Sequence, residues 1–238
     1  MDKNIVIIGS NGAIGNAFVE HYLKDSSVSN IFAFSRNKTD STYNKLTNLY
    51  IDIELEQSVA AAAESINGHK IDIVITATGI LHSDLIKPEK SIKDINHESF
   101  MKIFSINAVG PALIGRYFIP LLRKDAKSVI AFLSARVGSI SDNKLGGWYS
   151  YRASKTALNQ IIKNFSIELK RTNPKAVVIG LQPGTVDSNL SEPFKKNVAK
   201  GKLFSPEQSR DLLLDVIEKT TIENSGNLIA YDGEIISP

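Results

Sequence analysis

Near the N-terminus a run of four branched aliphatic residues, Ile5-Val6-Ile7-Ile8, ends in Gly9-Ser10-Asn11-Gly12-Ala13-Ile14-Gly15, and a helical pattern through Phe18, Val19, Tyr22 and Leu23 follows at once. An apolar run without alternation implies a strand covered on both faces, the situation of a parallel strand. Glycines after such a strand let the chain turn sharply and bring backbone N–H groups up to an anion at a helix N-terminus, where the peptide dipoles favour negative charge. Strand, glycine turn and helix in that order read as a dinucleotide-binding unit, with Gly9, Ser10, Asn11, Ala13 and Ile14 at the phosphates.

The same alternation recurs downstream. A second strand, Ile31-Phe32-Ala33-Phe34, ends in Ser35-Arg36-Asn37-Lys38, and no acid appears before Asp40. Free ribose hydroxyls are usually held by an acid about 20 residues past the glycines, whereas a 2′-phosphate suits an arginine. Ser35 and Arg36, helped by Lys38, therefore favour NADP(H), since a guanidinium pairs with phosphate through charge-assisted bonds. The alternative is a solvated loop arginine, which keeps NAD(H) possible. A third strand at Leu49-Tyr50-Ile51-Asp52-Ile53 offers Asp52 to the adenine amino group, with Ile53 beside it. A helix at 55–66 leads to a fourth strand, Ile71-Asp72-Ile73-Val74-Ile75, closed by Thr76-Ala77-Thr78-Gly79. Strands follow at 129–133, 176–181 and 228–230, the sixth ending in Gln182-Pro183-Gly184-Thr185-Val186. With no linker and no internal repeat, the expectation for residues 1–238 is a single-domain α/β Rossmann fold. Its sheet is doubly wound, mostly parallel and seven-stranded, with helices on both faces. The polar segment at about 187–205 reads as a substrate lid that begins next to Ser188.

Composition narrows the chemistry. The 238 residues are 42% hydrophobic and 22% charged, as in an ordinary globular protein with one core. The net charge of +3 is spread without a basic block, so no nucleic-acid partner is expected. Absence of cysteine excludes disulfides, thiolate metal sites and cysteine nucleophiles, and the four histidines lack the spacing of a zinc motif, so no metal is expected. The first apolar run is too short for a signal or a membrane span, and the expectation is a soluble, cytoplasmic protein.

The reactive groups are sought in the second half. Tyr149-Ser150-Tyr151-Arg152-Ala153-Ser154-Lys155 opens an amphipathic helix whose stripe runs through Leu158, Ile162, Phe165 and Leu169. Tyr151 and Lys155, four apart, project from one face, about 5–6 Å apart at Cβ. A phenol near its ordinary pKa of about 10 exchanges protons poorly at neutrality, and a neighbouring ammonium would lower it. The alternative is a chance pairing on an amphipathic helix. Residues 81–98 are polar, contain Pro88 and read as a surface excursion over the strand ends. The apolar segment 100–122 reads as a helix buried on several sides, with a bend because Pro111 cannot bond the carbonyl of Asn107. That carbonyl needs a partner, and a bound water could join a proton relay. The fifth strand runs into Ser134, a hydroxyl at the edge where α/β sheets bind ligands.

The ordered set Gly9 to Gly15, Asp52, Asn107, the Ser134 region, Tyr151-x-x-x-Lys155 and Pro183-Gly184-Thr185-Val186 resembles the short-chain dehydrogenase/reductase family along nearly the whole chain. Ser134-Ala135-Arg136-Val137-Gly138-Ser139, Gly146-Gly147-Trp148 with the helix start, and Tyr231-Asp232-Gly233 are similar to the C-factor-like or sniffer-like carbonyl reductases within it. The resemblance implies Tyr151 as general acid and Lys155 as the group that lowers its pKa and binds the nicotinamide ribose. It further implies a serine polarising the substrate oxygen and Asn107 holding a relay water. It adds Ala77, Thr78, Gly79, Pro183, Gly184, Val186 and Ser188 to the cofactor contacts, and a homodimer or homotetramer paired through the helices at 100–122 and 151–170. Three departures stand out. Ala13 occupies a family glycine position, Thr76-Ala77-Thr78-Gly79 replaces the usual N-N-A-G, and the family serine aligns with Ala135, leaving Ser134, which is favoured, or Ser139. The expected activity is NADPH-dependent reduction of a ketone or aldehyde. The alternative is a dinucleotide-binding signalling or sensor protein with little turnover.

Overall fold

The computed structural model describes residues 2–37 and 42–238, so Lys38 and Asp40 lie outside the described residues. Strand β1 (Lys3–Ile8) pairs in parallel with β2 (Val28–Ser35) on one side and β4 (Ile73–Thr76) on the other. Beyond β2 lies β3 (Leu46–Tyr50), and beyond β4 come β5 (Ser128–Leu133), β6 (Ala176–Gln182) and β9 (Leu228–Ala230), all parallel. An eighth strand, β10 (Ile235–Ile236), turns back antiparallel on β9, so the sheet has one strand more than expected. Two isoleucines after the Tyr231-Asp232-Gly233 turn are too few to show a period, and Ile235 is exposed on the sheet edge.

Apolar residues at even and odd positions of β5 divide the core between the two faces. Ile130 and Phe132 pack with Leu158 and Ile162 of α5 (Tyr149–Thr172) and with Ile114 and Phe118 of α4 (Gly110–Phe118). Val129, Ala131 and Leu133 pack instead with Phe18 and Tyr22 of α1 (Ala13–Lys24) and Leu213 and Ile217 of α6 (Pro206–Lys219). Period-2 alternation within each central strand thus feeds helices on both sides. The chain reverses its direction of winding between β1 and β4, which leaves a crevice at their carboxyl ends.

Several boundaries shift. The third strand lies at Leu46–Tyr50 because it is the edge strand, paired along β2 from Ile31 with Leu46 to Ser35 with Tyr50; Asp52 and Ile53 therefore sit in the turn before α2 (Glu56–Glu64). The helix expected over 100–122 starts earlier, as α3 (His97–Phe104), and widens into a π-helical turn, Ser105–Val109, where the Gly110 N–H bonds the Ser105 carbonyl five residues back. The bend anticipated at Pro111 is thus built as a turn with an extra residue. Residues 81–98 follow the surface only in part, since Leu81, Ile86 and Glu89 are buried. Among the described residues no helix is long and apolar enough to cross a membrane.

Candidate active site

The glycine turn shapes the crevice. Gly9 has φ +86, and a β-carbon on it would lie 2.8 Å from the Ala77 carbonyl oxygen; one on Gly15 would lie 2.2 Å from the Gly9 carbonyl oxygen. Both therefore have to be glycine for β1, β4 and α1 to approach as they do. Gly12, the N-cap of α1, supplies no side-chain cap, and the first turn carries no acid, so its N–H groups are left for an anion. Ala13 is the first helical residue and Ile14 follows it. Ser10 is buried with its hydroxyl on the Phe34 carbonyl at 3.2 Å, and Asn11 ties the turn to the end of β2 through Asn37 at 2.9 Å. Ser35 donates to the same Asn37 carbonyl at 2.7 Å, and Arg36 is exposed at the rim. Asp52 accepts from the Glu54 N–H at 3.0 Å, while Ile53 packs under Gly110, 3.0 Å from where a β-carbon would be. Thr78 buries a hydroxyl that has no partner. An open helix N-terminus, a glycine cradle and an orphaned hydroxyl fit a dinucleotide.

At the far side of the crevice, Asn107 is fully buried in the widened turn. Its amide accepts from the Ile80 N–H and donates to the Ile80 carbonyl, both at 2.8 Å, and donates to Ser154 at 3.1 Å. That double bond to one residue's backbone pins the turn after β4 against α5. A β-carbon at Gly79 would stand 3.5 Å from both Asn107 Oδ1 and Lys155 Nζ, so the two side chains meet over a residue without one.

Tyr151 and Lys155 are both buried, 7% and 3% exposed, with the ammonium 5.8 Å from the centre of the phenol ring. Lys155 Nζ donates to the Leu133 carbonyl at 2.8 Å, which fixes it across the end of β5. Burial pushes the phenol up to about 12 and brings the ammonium down to about 8. This corrects the expectation that Lys155 lowers Tyr151: loss of water penalises phenolate and ammonium alike, and the lysine lies by the ring face rather than as a partner of the hydroxyl.

Ser134 and Ser139, the serines nearest Ala135, are both hydrogen-bonded within the fold. Ser134 continues the even-numbered face of β5 and donates to Asn159 of α5 at 2.7 Å. That bond occupies its proton, against the expectation that this hydroxyl polarises a substrate; the strand has not turned at 134. Ser139 is buried, bonded to Ser141 at 3.3 Å and accepting from the Asp142 N–H at 3.1 Å. Ala135 itself is partly exposed at the strand end.

The segment after β6 folds back over this edge. Pro183 accepts from Ser209 at 2.8 Å, Gly184 has φ +75 beneath the Phe204 ring, and β7 (Thr185–Val186) pairs with β8 (Leu203–Phe204), closing the ends of the 187–205 segment. Ser188 bonds within it, its N–H on Ser191 at 3.2 Å and its hydroxyl on the Val186 carbonyl at 3.3 Å. Between those ends, Phe194 packs on Trp148 with ring centres 4.9 Å apart, and Trp148 stands edge to face with Tyr151 at 6.1 Å. His82 Nε2 lies 3.1 Å from the carbonyls of both Asn189 and Leu190. Two residues here were not singled out from sequence. Glu89 lies in a polar loop that predicts exposure, and Phe194 in a segment with no period; Glu89 could have been noticed only as an acid beside Pro88, a weak signal.

The family model described as short chain dehydrogenase matches residues 3–199. A 1-hydroxy-2-glutathionyl-2-methyl-3-butene dehydrogenase of Rhodococcus sp. (strain AD45) is 30% identical over 188 residues, covering 78% of this chain and 77% of that protein. The C-signal protein of Myxococcus xanthus is 32% identical over 144 residues, 60% of this chain and 81% of the other. In structure, the NADPH-bound carbonyl reductase from chicken fatty liver superposes with a TM-score of 0.87 at 21% identity, over 100% of this chain and 94% of that one. The carbonyl reductase Sniffer of D. melanogaster superposes with a TM-score of 0.86 at 21% identity, over the whole of both chains. A glycine turn at the first strand end, a buried tyrosine and lysine one helical turn apart, and a family match over most of the sequence agree: the chain belongs to the short-chain dehydrogenase family.

Proposed function

We propose that the protein reduces a ketone or aldehyde to an alcohol with NADPH, the reaction being reversible. The observation that carries this reading is the burial of Tyr151 beside Lys155 at the strand edge that also holds the open glycine cleft. The dinucleotide, when bound, supplies the hydride. Gly9, Ser10, Asn11, Ala13 and Ile14 would hold its phosphates, Asp52, Ile53 and the 77–79 turn its adenosine, and Pro183, Gly184, Val186 and Ser188 its nicotinamide end. Ser35 and Arg36 at the rim support a 2′-phosphate and hence NADPH over NADH. Tyr151 gives the carbonyl oxygen its proton. A phenol near 12 is fully protonated at neutrality and suits donation, and Lys155, held on the Leu133 carbonyl, lines the same buried edge. Asn107 keeps the 79–80 turn in place, and its main-chain carbonyl is assigned the relay water that reprotonates the site. A homodimer or homotetramer paired through the helices at 100–122 and 151–170 is part of this reading, supported by the exposed Val109 and Ile167 within those two stretches.

Tyr151→Phe tests it. Removing the proton donor should lower kcat by about 10²–10⁴ while leaving NADPH affinity within about threefold. A parent protein that oxidises no NADPH against a broad panel of ketones and aldehydes would overturn the proposal. A sensor reading has one observation in its favour, an alanine at 135 with the neighbouring Ser134 hydroxyl already donating to Asn159; it requires a dinucleotide-dependent cellular effect that survives Tyr151→Phe.

A further inference from the structure

Glu89 lies in the loop between β4 and α3, yet only 1% of it is exposed. Its carbonyl accepts from the Trp148 N–H at 2.6 Å, and its carboxylate oxygens lie 3.3 and 3.4 Å from the Ser150 N–H, at the start of α5. Between those two bonds sits Trp148 at φ 50, ψ 44, the one non-glycine residue with positive φ among those described. Gly146 and Gly147, both at φ +65, lead into it, and a β-carbon on Gly147 would be 3.3 Å from the Glu89 carbonyl oxygen. A bulky residue keeps a left-handed conformation only where its surroundings over-determine it, and such strain gathers at functional sites. Here the result of the strain is visible: the indole is held between the Tyr151 ring and Phe194 of the 187–205 segment. The carboxylate faces the Ser150 N–H in the first turn of α5, where the helix dipole favours negative charge.

We propose that Glu89 is a positioning residue: its carboxylate, on the Ser150 N–H, fixes the loop whose main-chain carbonyl holds the Trp148 N–H, and so keeps the left-handed Trp148 as the wall against which the carbonyl-bearing part of the substrate lies. The substrate side of this statement rests on the reading of Tyr151 as the proton donor; the clamp itself does not. Trp148 is the sole tryptophan of the chain, so intrinsic emission reports on it alone. In the protein without substrate, Glu89→Ala should shift that emission to the red and increase its quenching by acrylamide. In turnover it should raise KM about tenfold with kcat changed less than about threefold, the pattern of a lost binding wall. Glu89→Gln keeps an acceptor oxygen of the same reach and should restore both emission and KM to near the parent values. If Glu89→Ala alone does not fold, adding Trp148→Gly should restore folding, because glycine holds the left-handed turn without a clamp. Unchanged emission in Glu89→Ala, a Glu89→Gln protein that behaves like Glu89→Ala, or failure of Trp148→Gly to rescue a misfolded Glu89→Ala would each overturn the proposal. Since emission is read without turnover, a parent that reduces no carbonyl defeats the proposed function and leaves the clamp to be judged by its fluorescence.

Discussion

An ammonium buried to 3% exposure, with the Leu133 carbonyl as its hydrogen-bond acceptor among the described residues, is a stability liability. Folded Lys155 releases its proton near pH 8, whereas the unfolded chain holds it to about 10.5, so below pH 8 the fold carries the full penalty and between about 8 and 10.5 the penalty fades as pH rises. Lys155→Met removes the charge but strands the Leu133 carbonyl, a loss of about 1 kcal/mol against a gain on the order of 3 kcal/mol. The variant should therefore melt roughly 2–8 °C above the parent at pH 7 while losing turnover, and the difference in Tm should shrink between pH 8 and 10. Thermal scans at several pH values check this. Ser134→Ala should cost about 1 kcal/mol in denaturant titrations through its lost bond to Asn159 and leave kcat nearly unchanged. The types and spacing of Tyr151 and Lys155 could be read from sequence, because helix periodicity alone puts them on one face. The direction of their pKa values could not, since Lys155 is buried across the end of β5 and Tyr151 lies against Trp148, contacts that helix periodicity does not reveal.

Elements meet closely where β5 ends and α5 passes over it. A β-carbon at Gly138 would fall 2.8 Å from the Lys155 carbonyl carbon and 2.9 Å from its Cβ, both parts of a rigid helix that cannot step aside. Gly138→Ala should therefore destabilise by about 1–3 kcal/mol and reduce kcat by moving Tyr151 and Lys155 together, measurable as a lower Tm alongside a kcat loss at unchanged NADPH affinity. Gly110 against Ile53 is the corresponding close approach at the π-helical turn, where α3 and α4 change direction. Strands β1, β4, β5 and β6 were legible because both of their faces are buried, which leaves long branched-aliphatic runs. Strand β3 was displaced and β10 went unseen, since each borders solvent and borrows its hydrogen bonds from a neighbour instead of announcing itself by hydrophobicity.

At the scale of the whole molecule, the two halves of the sheet have complementary roles. Strands β1 to β4 shape the glycine cleft, β5 and β6 lead to the edge where Tyr151 and Lys155 lie, and the 187–205 segment is tied down by β7 with β8 and by His82. A ligand that spans both halves binds the folded state alone, so it must stabilise the entire domain by mass action. At a concentration of about 100 times Kd the gain is about 2.7 kcal/mol, which for a chain of this size is roughly 5–10 °C in Tm. NADPH should produce that shift in thermal denaturation, and NADH at equal concentration a smaller one, because only the former carries the 2′-phosphate assigned to Ser35 and Arg36. If the 2′-phosphate is held at the rim by Arg36, Arg36→Asp should leave the glycine cradle intact yet reverse which dinucleotide stabilises more, by replacing a phosphate partner with an acceptor for ribose hydroxyls. Equal stabilisation of the parent by both dinucleotides, or an Arg36→Asp protein that keeps the original order, would remove the basis for NADPH while leaving the dinucleotide site itself in place.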